Sequence, residues 1–351
     1  MMHRRWAALA GAVLFVLALP SGAEPQPADP MPMPLAREVV GKTIELVERE
    51  GLYPRSQAEY AQARAALLAL LDDAASQADR KEVHARIRAL LATLDADGHS
   101  FLSTPAQAQQ RQASNGARNA LRPPAFRLLT TSRGTVLRWT PPPVVGTSAT
   151  VIKDYVKAFH DEAAARPDIK DACALVVDLG EQTGGNAWPP FVAMYPLFGD
   201  TNKAVWVDRD GKRIPFVNRA NLENMARQGA AGRANPLAPY AGAPLAVLVG
   251  SRTASAGEML LVALLGEQRV QTFGQTSYGL STANNTHPLA DGSTLVLTGM
   301  RYALGDGPVY RGGIPAMHPA EKGEPLDAAA KVAAEWAAAH SPACGPAPAG
   351  I

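Results

Sequence analysis

Two continuous apolar runs, each followed by a turn of small residues, constrain the fold of this chain most. The first run, 174–179, leads into a turn with paired glycines, and the second, Leu245–Val249, leads into a turn and a helix beginning at Ser255. An uninterrupted apolar run of this length is typical of a strand buried on both faces. Helices are indicated after both runs. Strands that alternate with helices predict an α/β protein whose β-sheet is layered by helices.

The N-terminal part of the chain has a different character. Between 35 and 113, Ala, Leu, Arg and Glu dominate and apolar residues recur at helical spacing, which predicts a small helical subdomain. Two strands are expected within 126–139, and a terminal helix is expected at 326–339.

The first 23 residues have the organisation of a secretory signal peptide. Arg4 and Arg5 precede an apolar stretch at 6–19, and small residues follow at 21–23. The stretch is shorter than the about 20 residues that a bilayer-spanning helix needs, although a retained anchor is the alternative. We expect cleavage near residue 23, no stable membrane span afterwards, a Pro-rich leader at 24–34, and a secreted or periplasmic location.

Charge and cysteine content narrow the function classes. The net charge of +2 gives no basic field for nucleic acid. In an oxidising compartment Cys173 and Cys344 can form a disulfide, and two free thiols are the alternative. Neither cysteine has a second ligand at zinc spacing, so no metal site is expected.

Ser255 has two interpretations. As a helix N-cap, its oxygen would bind a backbone N–H of the first turn, and Glu258 three residues later would complete a capping box. As a nucleophile, it would use the favourable field of the helix N-terminus, where the N–H of Ala256 can donate to a developing oxyanion. Small neighbours on both sides leave room for a substrate backbone.

Two further segments carry residues suited to chemistry. The turn at 178–186 contains Gly184 and Gly185, which can expose backbone N–H groups, although a plain strand-to-helix turn explains them equally. His99 lies in a loop after the helical region, where it could act as a general base. His84 and His160 are expected on solvated helix faces.

In order and content, these segments resemble the tail-specific or C-terminal-processing serine peptidase family, which includes the tricorn core peptidase. The family has a His-Ser motif, a central strand with a glycine turn, a Thr-Ala-Ser-Ala turn and a Gly-x-Thr-x-Gly turn, matched here by 99–100, 174–186, 253–256 and 274–280. The resemblance covers about 35–319. It implies a sheet core of the ClpP/crotonase-like type at 114–340, after the helical subdomain at 35–113 and before a tail at 341–351.

The resemblance also implies roles. One branch of the family pairs the serine with a lysine at the position that Leu280 occupies here, so that dyad is absent. The tricorn-like branch uses the early histidine instead, which makes Ser255 the nucleophile and His99 the base. The oxyanion hole would use Ala256 and Gly185, or its neighbour Gly184. The stretch at 115–148 is too short for the PDZ domain that many members carry.

The third catalytic group is the weakest match. Ser100 is expected to help orient His99, and Tyr310 occupies the place of the tricorn glutamate. Asp306 is the nearest acid that could substitute, although its flanking glycines favour a simple turn. The central strand also has Gly180 where the family has arginine. Residues 316–317 are Ala-Met, where the family often has a Pro-Asp pair.

The resulting hypothesis is a secreted serine endopeptidase that acts on peptides or proteins through an acyl-enzyme and needs no cofactor. The alternative is a weakened or inactive member that binds hydrophobic ligands or peptides. The sequence leaves the oligomeric state open.

Overall fold

A computed structural model describes residues 29–71, 75–94, 98–120, 122–146, 148–321 and 323–346. The expected signal peptide and the start of the leader lie outside these residues. The α-helices are α1 (Met33–Glu50), α2 (Gln57–Leu68), α3 (Arg80–Ala92), α4 (Pro105–Ala120), α5 (Ala149–Ala164), α6 (Trp188–Ala193), α7 (Arg219–Ala230), α8 (Ala256–Leu265) and α9 (Leu326–His340).

The strands are β1 (Pro30–Pro32), β2 (Gln77–Asp79), β3 (Phe101–Ser103), β4 (Ala125–Thr131), β5 (Gly134–Thr140), β6 (Ala174–Asp178), β7 (Ala204–Val207), β8 (Arg213–Pro215), β9 (Leu245–Val249), β10 (Val270–Gly274), β11 (Thr282–Pro288), β12 (Thr294–Leu304) and β13 (His318–Pro319).

The main sheet has six strands in the order β13-β10-β9-β6-β5-β4. Strands β5, β6, β9, β10 and β13 are parallel, and β4 joins β5 as an antiparallel hairpin. Every residue of β6 and β9 is buried, because helices cover both faces of the sheet. The predicted helix-layered α/β fold is confirmed.

Helices of different composition cover the two faces. The alanine-rich face of α9 packs on one side, where small side chains allow close approach to Val176 and Leu248. The apolar helix α8, together with α5, α6 and α7, packs on the other side.

A second sheet stands behind α8, with the order β11-β12-β7-β8 and β3 paired to β12. Helices α1 and α3 pack their apolar faces against Leu295 and Leu297 of β12. The helical region is therefore packed on this sheet, and it differs from expectation by containing β3 and extending through α4. Within the predicted leader, residues 30–32 form β1, which pairs with β2, and 33–34 begin α1.

Cys173 and Cys344 are bonded to each other in the structure. Ser341 Oγ also donates to the carbonyl of Cys173, at 2.6 Å. The segment after α9 is thereby attached at the start of β6.

Candidate active site

Ser255 sits at a strained turn between β9 and α8. Its φ is +52° and its ψ is −110°, a backbone conformation that non-glycine residues adopt only when their surroundings impose it. The surroundings here are the end of β6. Thr253 Oγ1 donates to the carbonyl of Leu179 at 2.8 Å, and a Cβ on Gly250 would lie 2.9 Å from the Gly180 oxygen. The two turns are therefore in backbone contact.

The paired glycines lie against the nucleophile turn. Gly184 and Gly185 have φ of +112° and +103°, which only glycine adopts without strain. A Cβ on Gly184 would lie 3.1 Å from Ser255 Cβ, and one on Gly185 would lie 2.2 Å from the Val144 oxygen. Side chains are thus excluded at both positions. Ala256 begins α8, so its N–H belongs to the first turn, which has no intrahelical acceptor.

His99 reaches Ser255 from the other side, across 156 residues of sequence. Its Nε2 lies 3.0 Å from Ser255 Oγ, and its Nδ1 lies 2.5 Å from Thr282 Oγ1. The structure therefore brings together the serine and the histidine that the sequence singled out. It adds Thr282, a residue that the sequence analysis did not name.

The loop that carries His99 is fixed to the second sheet. Asn284 Nδ2 donates to the His99 carbonyl at 3.2 Å, and Asn284 Oδ1 accepts from Thr298 Oγ1 at 2.7 Å. Ser100 Oγ accepts from the N–H of Thr298 at 3.1 Å. Ser100 thus contacts the backbone of β12, so any help that it gives in orienting His99 acts through the loop.

Thr282 occupies the position beside His99 Nδ1 where the family resemblance implies an acid. It is the first residue of β11, is 8% exposed, and is held by Tyr302, whose hydroxyl donates to its carbonyl at 3.0 Å. Asp306, the possible substitute acid, is exposed in the turn after β12, which agrees with the simple turn that its flanking glycines favour. The flanking glycines that permit that turn also hold Asp306 at the surface. Tyr310 is partly buried against the main core.

Glu258, the residue of the capping-box interpretation, is fully buried under the nucleophile turn. Its Oε2 accepts from the N–H of Ser255 at 3.1 Å. Its Oε1 accepts from Ser277 Oγ at 2.5 Å and from the N–H of Gly279 at 2.9 Å. Burial raises the pKa of the Glu258 carboxyl, against hydrogen bonds from Ser277, Gly279 and Ser255 that lower it.

Two other histidines are not where the sequence predicted them. His84 is buried, and its Nε2 lies 2.7 Å from Asp291 Oδ2 in the turn between β11 and β12. His160 is 4% exposed, and burial lowers its pKa to about 4. Both predictions of a solvated face were wrong, because neighbouring elements cover the helix faces on which these residues lie.

Two features are absent from the residues that the structure describes. No group of three or more His, Cys, Asp or Glu side chains there could hold a metal ion. None of the helices in that part of the chain is long and apolar enough to cross a membrane.

The fold, with a serine and a histidine paired at the head of α8, resembles that of the tail-specific proteases. The model of peptidase family S41 matches residues 148–314. This segment, just under half of the chain, is similar to that family.

Sequence relatives and solved structures agree with that placement. The nisin-resistance protein of Lactococcus lactis subsp. lactis is 32% identical over 124 residues, which is 35% of this chain and 38% of that protein. The chloroplastic carboxyl-terminal-processing peptidase 2 of Arabidopsis thaliana is 28% identical over 155 residues, 44% of this chain and 27% of that protein. The matched region therefore spans less than two fifths of either relative.

Among solved structures, a lipoprotein from Streptococcus agalactiae superposes with a TM-score of 0.66 at 19% identity, covering 93% of this chain and 99% of that one. The photosystem II D1 C-terminal processing protease superposes with a TM-score of 0.55 at 14% identity, covering 86% and 97%. At these identities the likeness concerns the fold.

Proposed function

We propose that the protein is a serine endopeptidase in which Ser255 is the nucleophile and His99 is the general base. The observation that carries the proposal is the pair of contacts on the His99 ring, with Nε2 3.0 Å from Ser255 Oγ and Nδ1 2.5 Å from Thr282 Oγ1. A nucleophile bonded to a base that is itself oriented by a third group is the arrangement that covalent catalysis requires.

The proposed proton relay requires one tautomer of His99. When Nδ1–H donates to Thr282 Oγ1, the lone pair of Nε2 faces the hydroxyl of Ser255. As Ser255 Oγ bonds to the peptide carbonyl carbon, its proton passes to Nε2, and the resulting imidazolium then gives that proton to the leaving amine. Water hydrolyses the acyl-enzyme by the same relay in reverse, releasing the carboxylic acid and restoring Ser255.

The negative oxygen of the tetrahedral intermediate needs donors that are already in place. We assign this role to the N–H of Ala256 and to the N–H of Gly184 or Gly185. The first lies at the N-terminus of α8, where the helix field favours negative charge. The glycines contribute because their missing side chains let a substrate carbonyl approach the backbone next to Ser255.

The substrate class follows from the same site. A peptide or protein fits an acyl-transfer site, and the two sequence relatives, a carboxyl-terminal-processing peptidase and a nisin-resistance protein, support this substrate class. No step of this mechanism requires a cofactor. We also propose a secreted or periplasmic location, on the basis of the N-terminal sequence and the Cys173–Cys344 disulfide.

The test is covalent labelling with a fluorophosphonate together with casein turnover. Ser255→Ala is expected to lose both signals, and His99→Ala is expected to lose turnover. Ser251→Ala is the matched control, since it removes an exposed hydroxyl from the same turn. Labelling of Ser255→Ala at the wild-type level would refute the assignment. A folded wild-type protein with neither signal would instead favour the alternative of an inactive, ligand-binding member.

A further inference from the structure

Glu258 lies beneath the nucleophile turn and has no role in the proton relay described above. We propose that Glu258 is a positioning residue of the catalytic site. It would hold the backbone of Ser255 in its strained conformation and place a buried negative charge beside the Ser255–His99 pair. This inference rests on the proposed peptidase function and extends it.

The contacts of Glu258 indicate an ionised carboxylate. The side chain is 0% exposed, and its hydrogen-bond partners all donate: the N–H of Ser255, the hydroxyl of Ser277 and the N–H of Gly279. Ser277 Oγ accepts from the N–H of Ile314 at 2.7 Å, which leaves its own hydrogen to point at Glu258. A buried charge is retained when it is satisfied by several donors in this way.

Glu258 connects the two halves of the site mechanically. Ser255 keeps a φ of +52° only if its surroundings restrain it. The hydrogen bond from its N–H to Glu258 Oε2 restrains it directly. The other carboxylate oxygen holds the turn at 274–280, which leads directly into Thr282, the partner of His99. One side chain therefore fixes the nucleophile relative to the strand that orients the base.

The charge of Glu258 compensates for a neutral third member. Thr282 accepts a hydrogen bond but has no charge to stabilise the imidazolium that His99 becomes. Glu258 is bonded to the backbone of the residue whose Oγ contacts that ring, and charges interact strongly in a buried environment. Burial and the Glu258 carboxylate raise the pKa of Tyr302, so that side chain stays neutral.

The test compares the full-length wild type with Glu258→Gln, which keeps the shape and removes the charge. We expect kcat to fall about tenfold or more with KM within about twofold, and fluorophosphonate labelling to slow in parallel. The acid limb of the pH profile should move to lower pH, because losing a nearby negative charge lowers the pKa of His99. Glu258→Asp should lose kcat through its shorter reach while retaining the wild-type acid limb.

Glu267→Gln is the matched control. Glu267 lies just beyond the other end of α8 and also accepts a backbone N–H, from Gly199 at 2.9 Å. Glu267→Gln should leave kcat and the acid limb of the pH profile unchanged. Thermal unfolding verifies that each variant is folded. If Glu258→Gln does not fold, wild-type kcat in Glu258→Asp overturns the proposal.

The outcomes separate the two hypotheses. An active wild type with unchanged kcat and acid limb in Glu258→Gln overturns the role of Glu258 and leaves the peptidase function standing. A wild type that neither labels nor turns over casein contradicts the peptidase function itself. In that case an NMR titration of His99 decides the remaining question, since an equal pKa of His99 in wild type and Glu258→Gln refutes the proposed charge effect.

Discussion

Replacing Thr282 by valine isolates the orienting bond on His99. The change keeps the β-branched shape that suits the start of β11 and replaces only the Oγ1 hydroxyl, which lies 2.5 Å from Nδ1, by a methyl group. Because the site is 8% exposed, water replaces the lost acceptor poorly. A buried donor left unpaired costs about 1–3 kcal/mol, which corresponds to roughly a 5- to 150-fold loss in kcat/KM.

The assay is casein turnover across pH, with fluorophosphonate labelling as a second readout. Thr282→Ser restores a hydroxyl and should recover most of the activity, while Thr282→Val should keep its KM. Thermal unfolding separates an effect on the site from a loss of the fold. If Thr282→Val were folded and within about twofold of wild type, His99 would need no partner at Nδ1 and the proposed triad would reduce to a dyad.

Three further predictions concern the glycine turn, the disulfide and a buried histidine. Gly184→Ala should reduce labelling about 100-fold or more, because its Cβ would meet the nucleophile, whereas Gly242→Ala, also at positive φ but in open space, should not. Replacing Cys173 and Cys344 together by serine should destabilise the protein by about 5 kcal/mol, given the 171-residue separation, as measured by chemical unfolding. His160 has a folded pKa of about 4 against 6.5 when unfolded, so the unfolded state binds more protons and stability should fall by about 3 kcal/mol as pH drops from about 6.5 to 4. This pH dependence of the free energy of unfolding should disappear in His160→Gln, and an equal dependence in that variant would exclude His160 as its source.

Much of the fold could be predicted because its strongest signals are local. The apolar runs that become β6 and β9 are readable without knowing their neighbours, since full burial on both faces requires uninterrupted apolar residues. Strand β3 was missed because its three residues are defined by pairing with β12, far along the chain. His84 was misplaced for a similar reason, because its partner Asp291 is 207 residues away.

The site was predictable only as far as its chemistry is carried by distinctive residue types. Ser255 and His99 were found because each sits in a short motif with a specific chemical purpose. Thr282 carries no such signal, because threonine is ordinary at the start of a strand and the family resemblance implies an acid as the partner of His99. Its role is visible only where the structure places β11 beside the His99 loop.

The departures from the family pattern also have local physical explanations. A Cβ at Gly180 would lie 2.1 Å from Leu326 Cδ2, so a side chain there would require the end of the Leu326 side chain to move. A guanidinium is nevertheless present, since Arg138 of the neighbouring strand contacts Asp178 at 2.8 Å and Asp327 of α9 at 2.7 Å. A guanidinium from β5 therefore lies between the sheet and α9 although residue 180 has no side chain. In the mechanism that we propose, two residues replace the acid missing at His99: the Thr282 hydroxyl orients the ring, and the buried Glu258 carboxylate supplies the charge, so orientation and electrostatic stabilisation are divided between them.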